Sequence, residues 1–422
     1  MGSDEMPGAS AAPDGSRKGP VAGLKVVEFA HVVAGPLAGG LLADLGADVV
    51  HVEAPQGGDT ARTMGPAKDG VHLWWKVSGR NKRSVSLDLR TKAGREVAQR
   101  LVEWADIVIT NLRVDTLEQW GLDWPSAHKL NSHLIYLQIT GFGASSSMRS
   151  APGFGKMGEA RSGVVHLTGF PDGPPIHTGF SHADAVTGLM GAFAVTAALY
   201  RRANDPDFDG EWVDLALFEP LYRLIEWQVI VYDQLGQVPE RSGNRLAVAP
   251  AAVVNTYKTL DCDWVTVTSA TRRSVLNVVR LLGMSEDDYD SREKQSARSD
   301  ELDSALAQWV GGHRTDECLL KLADAGVVGS RIYSVADIVE DAVYRELADV
   351  VALADPDLGK VRMQGVIPRF RCTPGSVWRT GPSLGQDNDL VLREWLGLGD
   401  EVLDTLTQED KAADTVAQEG ML

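Results

Sequence analysis

The stretch GFSHADAVTGLMG, residues 179–191, puts a carboxylate, Asp184, at the head of a long apolar run that closes on Arg201 and Arg202. An aspartate there has two uses. It can satisfy free backbone N–H groups at a helix start, and Ser181-x-x-Asp184 has the spacing of a capping box, worth about 1 kcal/mol. It can instead act as a nucleophile or base, if it faces a cleft. Gly188 and Gly191 fall inside the same helical pattern, where each costs about 1 kcal/mol relative to alanine. Two such losses exceed one cap, so the glycines point to a close backbone approach, by a neighbouring helix or by a ligand. Spacing alone leaves both uses of Asp184 open.

Three further patterns bear on chemistry. NKRSVSLDLR, residues 81–90, sets Lys82, Arg83 and Arg90 around a strand, where they either hold a phosphate-bearing ligand or lie as solvated charge. The run VVEFAHVVAGPLAGGLLADLGADVVHVE ends on Glu53, where a dinucleotide-binding βαβ unit carries its acid. Its glycines, Gly35, Gly39 and Gly40, lack the G-x-G-x-x-G spacing, whereas GFGKMG at 153–158 has the spacing but follows RSAP rather than a strand. Neither defines a nicotinamide or flavin site. His31, His51, His72, His166, His177 and His182 stand singly, with no H-E-x-x-H pair, and read as isolated surface or core histidines. No metal is expected.

The elements that must position these residues alternate in type. Short β-branched runs, LKVVEF, DVVHVE, SVSLDL, DIVIT and LIYLQIT, begin near 24, 48, 84, 106 and 134. That spacing fits βαβ units and a parallel sheet. Between the third and fourth, TKAGREVAQRLVEWA is an amphipathic helix with Val97, Leu101 and Val102 on one face and Thr91 as its cap. The helix after Asp184 is apolar nearly all round and is expected to be buried. Residues 216–240 read as a long connecting helix, AVVNTYKTLDCDWVTVTS as a hairpin turning at Asp261–Asp263, and NDLVLREWLGL as a late helix.

The expected fold is α/β: a Rossmann-like large domain over 21–215, a linker helix over 216–244, a smaller α+β domain over 245–330, and a return segment over 331–422 that completes the large domain. Residues 1–20 are polar and rich in Gly and Pro, and read as a disordered leader rather than a secretory signal. No run of about 18 apolar residues occurs, so no membrane span is expected. The net charge of −17 argues against nucleic acid as the main partner, because phosphate binding needs a basic surface. Cys262, Cys318 and Cys372 lie far apart without a Cys-x-x-Cys pair, which suits a cytoplasmic protein without disulfides.

Taken in order, GLKVVEFAHVVAGPLAGGLLADLGADVVHVEAPQGGD, NKRSVSLDLRTKAGREVAQRLVEWADIVITNL, LEQWGLDW, DGPPIHTGFSHADAVTGLMGAFAVTAALYRR, GEWVDLALFE and PSLGQDNDLVLREWLGL resemble the class III CoA-transferases. That family includes formyl-CoA:oxalate and carnitine CoA-transferases and is related to α-methylacyl-CoA racemase; the resemblance covers about residues 21–400. It implies two chains interlocked as a homodimer. It implies that Asp184 is a nucleophile carrying acyl anhydride and CoA thioester intermediates, already ionised at neutral pH, with oxyanions held by backbone N–H groups. Coenzyme A is then a co-substrate, with no tightly bound cofactor and no metal. Its adenine is expected along Leu87, Asp88, Leu89 and Arg90, with Arg90 and Arg113 as nearby cations.

The chain also departs from its relatives. Val33 and Ala54 stand where formyl-CoA transferases carry glutamine and arginine, which speaks against an oxalate-specific activity. The racemase branch uses the aspartate as a base, paired with a histidine in a Gly-His-Asp stretch. Gly153, Phe154 and Gly155 stand there in this chain, and phenylalanine cannot exchange a proton. Transfer between an acyl-CoA donor and a carboxylate acceptor is therefore expected. The alternatives are 2-methylacyl-CoA racemisation, or a non-catalytic CoA-binding subunit in which Asp184 is only a cap. Lys156 and Glu159 lie close in sequence to these residues without an assigned role.

Overall fold

The computed structural model describes residues 19–406, 408 and 409, so most of the expected leader lies outside the described residues. The chain forms two compact units. Among the described residues, the first comprises 19–164, 178–226 and those from 343 onward, and the second 165–177 and 227–342.

In the first unit, β-branched runs form β1 (Lys25–Phe29), β2 (Asp48–Glu53), β3 (Arg83–Ser86), β4 (Ile107–Thr110), β5 (Ile135–Thr140) and β6 (Glu211–Ala216). They make one parallel sheet in the order β3-β2-β1-β4-β5-β6. Helices cover both faces, which is why the strands are apolar on both sides. Val27, Val50, Val85 and Val108 pack under α2 (Lys92–Trp104), whose N-cap Thr91 accepts a bond from the Gly94 N–H at 3.0 Å. Val26, Val49, Ile107 and Leu137 pack against α1 (Ala34–Asp44) and α5 (His182–Asn204) on the other face. Two further helices, α3 (Val114–Trp120) and α4 (Gly155–Arg161), lie near the carboxyl ends of the strands in sequence. The strand order reverses between β1 and β4, so a crevice opens at the carboxyl ends there.

The helix glycines of α5 are explained by packing. A Cβ at Gly188 would lie 2.8 Å from the Ala34 carbonyl oxygen, and one at Gly191 would lie 2.8 Å from Leu137 Cδ2. The close approach is therefore to α1 and β5. The helix is not buried all round, as its composition suggested: Leu189, Phe193 and Tyr200 are 60%, 68% and 73% exposed. Only one side of it meets the sheet. By length and hydropathy α5 would also suffice to cross a membrane, unlike the expectation from counting apolar runs, but it is a helix of this α/β core.

Residues 216–240 do not form one long helix. β6 runs through Ala216, and two short helices follow, α6 (Glu219–Leu224) and α7 (Gln228–Leu235). Glu226 between them has φ +41°, outside any right-handed helix.

The second unit starts earlier and ends later than the 245–330 span read from the sequence. It holds the antiparallel sheet of β7 (Val253–Lys258), β8 (Trp264–Ser269) and β9 (Val328–Arg331), with β7 and β8 as the expected hairpin. Helices α8 (Arg272–Leu281), α9 (Ser299–Gly311) and α10 (Thr315–Asp324) cover it around Val265, Val267, Val278 and Leu306.

After residue 342 the chain rejoins the first unit with the hairpin β10 (Val350–Asp355) and β11 (Gly359–Gln364). The QDN of PSLGQDNDL then covers edge strand β3: the Ser84 N–H donates to Asp387 Oδ2 and the Ser86 N–H to Asn388 Oδ1, both at 2.9 Å. The late helix, Asp389–Trp395, is wound as a π-helix.

Candidate active site

Asp184 sits in the first turn of α5, one turn before Gly188 and on the same helical face. Its carboxylate makes no hydrogen bond or ion pair among the described residues. Nor does Ser181 cap the helix through its side chain. The cap that the sequence assigned to this pair comes from Glu159 of α4 instead. Glu159 is buried, and its Oε1 accepts the His182 N–H at 3.2 Å. Its two oxygens also accept Lys156 Nζ at 3.0 Å each, and Lys156 further donates to the Thr178 and Phe180 carbonyls. The His182 N–H is thus satisfied from α4, and the Asp184 side chain bonds no backbone group of the helix start among the described residues.

Burial raises the Asp184 carboxyl to about 6, the Glu159 carboxylate adds to the rise, and Lys156 opposes it. The group therefore departs from the ordinary carboxylate range expected from sequence. It remains roughly tenfold more ionised than protonated at pH 7, and it is a stronger base and nucleophile for the rise. Gly155, at the first position of α4, makes the site possible: a Cβ there would fall 2.1 Å from Asp184 Oδ2. Phe154 beside it is 79% exposed.

At the carboxyl ends of β1, β2 and β3 lies a cavity of about 200 Å³. Leu87, Asp88, Leu89 and Arg90 all line it, together with Ala30, His31, Ala54 and Leu112. Asp88 is buried and Arg90 is half-exposed, bound through Nη2 to Asp88 Oδ2 at 2.6 Å and to Gln56 at 3.0 Å. Burial would raise the Asp88 carboxyl, but Arg90 holds it below its usual value. Arg113 is exposed just before α3, next to Leu112. Ala54 on the cavity wall contributes no charge, which leaves Arg90 as the cation on that wall.

The other basic residues of NKRSVSLDLR take neither role considered for them. Lys82 is buried and donates to Glu28 Oε2 at 2.9 Å; Arg83 pairs with Asp387 at 3.3 Å. Glu28 leads to a group that sequence reasoning missed. Its Oε2 lies 2.7 Å from His51 Nδ1, and His51 Nε2 lies 3.2 Å from Asp59 Oδ2, with Glu28, His51 and Asp59 all buried. His51 is thus not an isolated histidine. The signal was present as two polar residues inside apolar strands, which the parallel register sets side by side as Glu28↔His51. Gly39 of α1 belongs to this cluster, since a Cβ there would lie 1.6 Å from Glu28 Oε1.

The first unit is thus an open parallel sheet with a cavity at its carboxyl ends near the switch point, where ligands bind in such sheets. On α5 it carries a carboxylate without a hydrogen bond or ion pair among the described residues. The model of CoA-transferase family III matches residues 21–388, and the chain belongs to that family. It is 36% identical over 390 residues to the succinyl-CoA–D-citramalate CoA-transferase of Chloroflexus aurantiacus, covering 91% of this chain and 96% of that one. It is 33% identical over 394 residues to the beta subunit of succinyl-CoA–L-malate CoA-transferase from the same organism, covering 92% and 96%. Among solved structures, a CAIB/BAIF family protein from Brucella suis superposes with a TM-score of 0.79 at 32% identity, over 90% of this chain and all of that one. The protein is an enzyme that moves CoA between carboxylic acids, and acyl-CoA thioesters are its substrates.

Proposed function

We propose that Asp184 is the nucleophile of this CoA transfer. A carboxylate oxygen attacks the thioester carbonyl of the donor acyl-CoA, the C–S bond breaks, and CoA leaves as thiolate from a mixed anhydride on Asp184. The thiolate attacks the Asp184 carbonyl of that anhydride, releasing the donor acid and leaving an aspartyl-CoA thioester. The acceptor carboxylate attacks this thioester and expels the thiolate again. Attack of the thiolate on the acceptor's acyl carbon then forms the new acyl-CoA and returns Asp184. Electrons and charge balance at each step without an oxidant or a net proton.

The observation that carries this reading is a carboxylate without a hydrogen bond or ion pair among the described residues, raised to about 6, against which Gly155 leaves room. CoA would lie in the cavity lined by Leu87, Asp88, Leu89 and Arg90, with Arg113, which follows the lining Leu112 but is not itself part of the wall, as a second cation for its phosphates. Succinyl-CoA as donor and a hydroxylated dicarboxylate as acceptor are the first pair to test, from the printed activities of the relatives. We further propose a cytoplasmic, interlocked homodimer whose partner chain covers Leu189, Phe193 and Tyr200; exposed apolar side chains in such a row mark an interface. Racemisation is disfavoured, because the exposed Phe154 stands where a second base is needed.

The test is CoA exchange between succinyl-CoA and a panel of carboxylates, read by mass spectrometry, with Asp184→Ala as reference. Hydroxylamine is expected to convert the anhydride or thioester to an aspartyl hydroxamate, with release of acid or CoA, on the wild-type protein only. Exchange that survives in Asp184→Ala refutes the nucleophile. Solvent deuterium entering the α-carbon of a 2-methylacyl-CoA would mark a racemase instead.

A further inference from the structure

The β1–α1 turn, residues 30–33, runs from the proposed CoA cavity, lined by Ala30 and His31, to the start of α1, where Ala34 abuts Gly188 one turn below Asp184. Its pivot is Val32, a β-branched residue held at φ +65°. That left-handed conformation is an outlier for valine and persists only where its surroundings impose it. Here the imposing group is Asp59, both of whose carboxylate oxygens accept the Val32 N–H at 3.1 Å. Asp59 Oδ1 also accepts the Ala61 N–H at 2.8 Å, and the Asp59 N–H donates to Glu53 Oε2 at 2.9 Å, which fixes the carboxylate at its base. Behind it stand His51, then Glu28, then Lys82, which donates to Glu28 and to the Pro36 carbonyl of α1. Burying four charges is costly and is worthwhile only where each has a partner.

We propose that Asp59, clamped by His51, is a positioning residue of the transfer reaction, holding the strained Val32 turn so that the CoA cavity and Asp184 keep a fixed spacing. The proposal rests on CoA transfer through Asp184. Its geometry makes His51 the controlling group. An imidazolium hydrogen-bonds Glu28 through Nδ1 and attracts Asp59 Oδ2 by charge across 3.2 Å from Nε2, a contact outside hydrogen-bond geometry, whereas neutral imidazole loses that attraction. Burial alone would lower His51, but the carboxylates of Asp59 and Glu28 against it raise it to about 9; burial would raise Asp59, but His51 holds it down to about 2. The charged and titratable groups facing His51 are Glu28, Asp59, Glu53, Lys82 and His31, and the Trp75 ring lies 5.6 Å away. The clamp is closed at neutral pH and opens as pH rises through about 9.

The experiment uses the full chain with Asp59→Asn, His51→Gln, and Asp59→Asn combined with Val32→Gly. Asp59→Asn and His51→Gln are expected to lower kcat about 10- to 100-fold, the scale of a small misplacement of reacting groups, with KM for acyl-CoA changed less than about threefold. Wild-type kcat should fall above about pH 9, and His51→Gln, which has no proton to lose there, should lack that limb. Val32→Gly should restore part of the loss in Asp59→Asn, since glycine takes the left-handed conformation without a clamp. Should the Asp59 variants fail to fold, hydrogen exchange of the wild-type segment 29–36 decides: its protection should drop above about pH 9. Near-wild-type kcat in Asp59→Asn and His51→Gln, a basic limb retained in His51→Gln, or protection of 29–36 unchanged above pH 9 would overturn the proposal. Wild-type protein that transfers no CoA, or an active Asp184→Ala, would instead defeat the reading on which it rests.

Discussion

Replacing Asp184 by asparagine should abolish exchange and, at the same time, stabilise the fold. The carboxyl rises from its ordinary 3.8 to about 6 on folding, so its ionised form is disfavoured in the native state. At 1.36 kcal/mol per pKa unit this corresponds to an upper bound of roughly 3 kcal/mol lost at pH 7; partial exposure to solvent reduces it to about 1–2 kcal/mol. A carboxamide of the same shape carries no such penalty. The sign follows from linkage. A group whose folded pKa is raised favours the native state below its unfolded pKa and loses that contribution as pH rises through the folded value. The advantage of Asp184→Asn should therefore be full at pH 7, about half as large at pH 5, and under about 0.5 kcal/mol near pH 4, where both states of the wild type approach full protonation. Urea unfolding of wild type and variant at these three pH values measures it. A variant no more stable than wild type at pH 7, or an advantage that does not shrink toward pH 4, would refute the claim that Asp184 is an uncompensated, strained charge.

Other outcomes follow from the same geometry. Glu159→Gln removes a carboxylate that helps raise Asp184 and frees Lys156 to approach it, so the acid limb of kcat near pH 6 should move down by roughly one pH unit; an unmoved limb counts against the assignment. Gly155→Ala places a methyl 2.1 Å from Asp184 Oδ2 and should lower kcat by about 100-fold or more in a folded protein. Gly188→Ala should destabilise by about 1–3 kcal/mol in thermal unfolding, because overpacking against the Ala34 carbonyl outweighs its better helix propensity. Arg90→Ala should raise KM for acyl-CoA several-fold with little change in kcat, and raise it less at high salt, where screening weakens phosphate binding by the wild type as well.

Five of the sheet's six strands were legible because they are short β-branched runs separated by helix-length spacers, a pattern that fits few folds besides a parallel sheet; the sixth, Glu211–Ala216, was not among them. The α2 helix and its Thr91 cap were equally local, and so were readable to within a residue or two. The suspicion that Gly188 and Gly191 mark a close approach was sound, since a helix tolerates such glycines only for a packing reason. Which partner approached them could not be read, because α1 and β5 lie far from α5 in sequence.

What the sequence determined by itself was the parallel α/β scaffold, the place of Asp184 at a helix start, and the segment Leu87–Arg90 at a strand end. Local propensity and residue order suffice for those. Only the tertiary structure decided what Asp184 is free to do. Glu159, from another helix, takes the capping role that Ser181 and Asp184 seemed to share, and Gly155 leaves the space beside the carboxylate. Register likewise turned Glu28 and His51, two scattered polar residues, into a buried ion pair that reaches Asp59 and Val32. Burial, charge and hydrogen bonding act through space, and residues distant in the chain supply them. Asp184 is thus placed before an apolar helix by sequence, and becomes a buried carboxyl raised to about 6 only by folding.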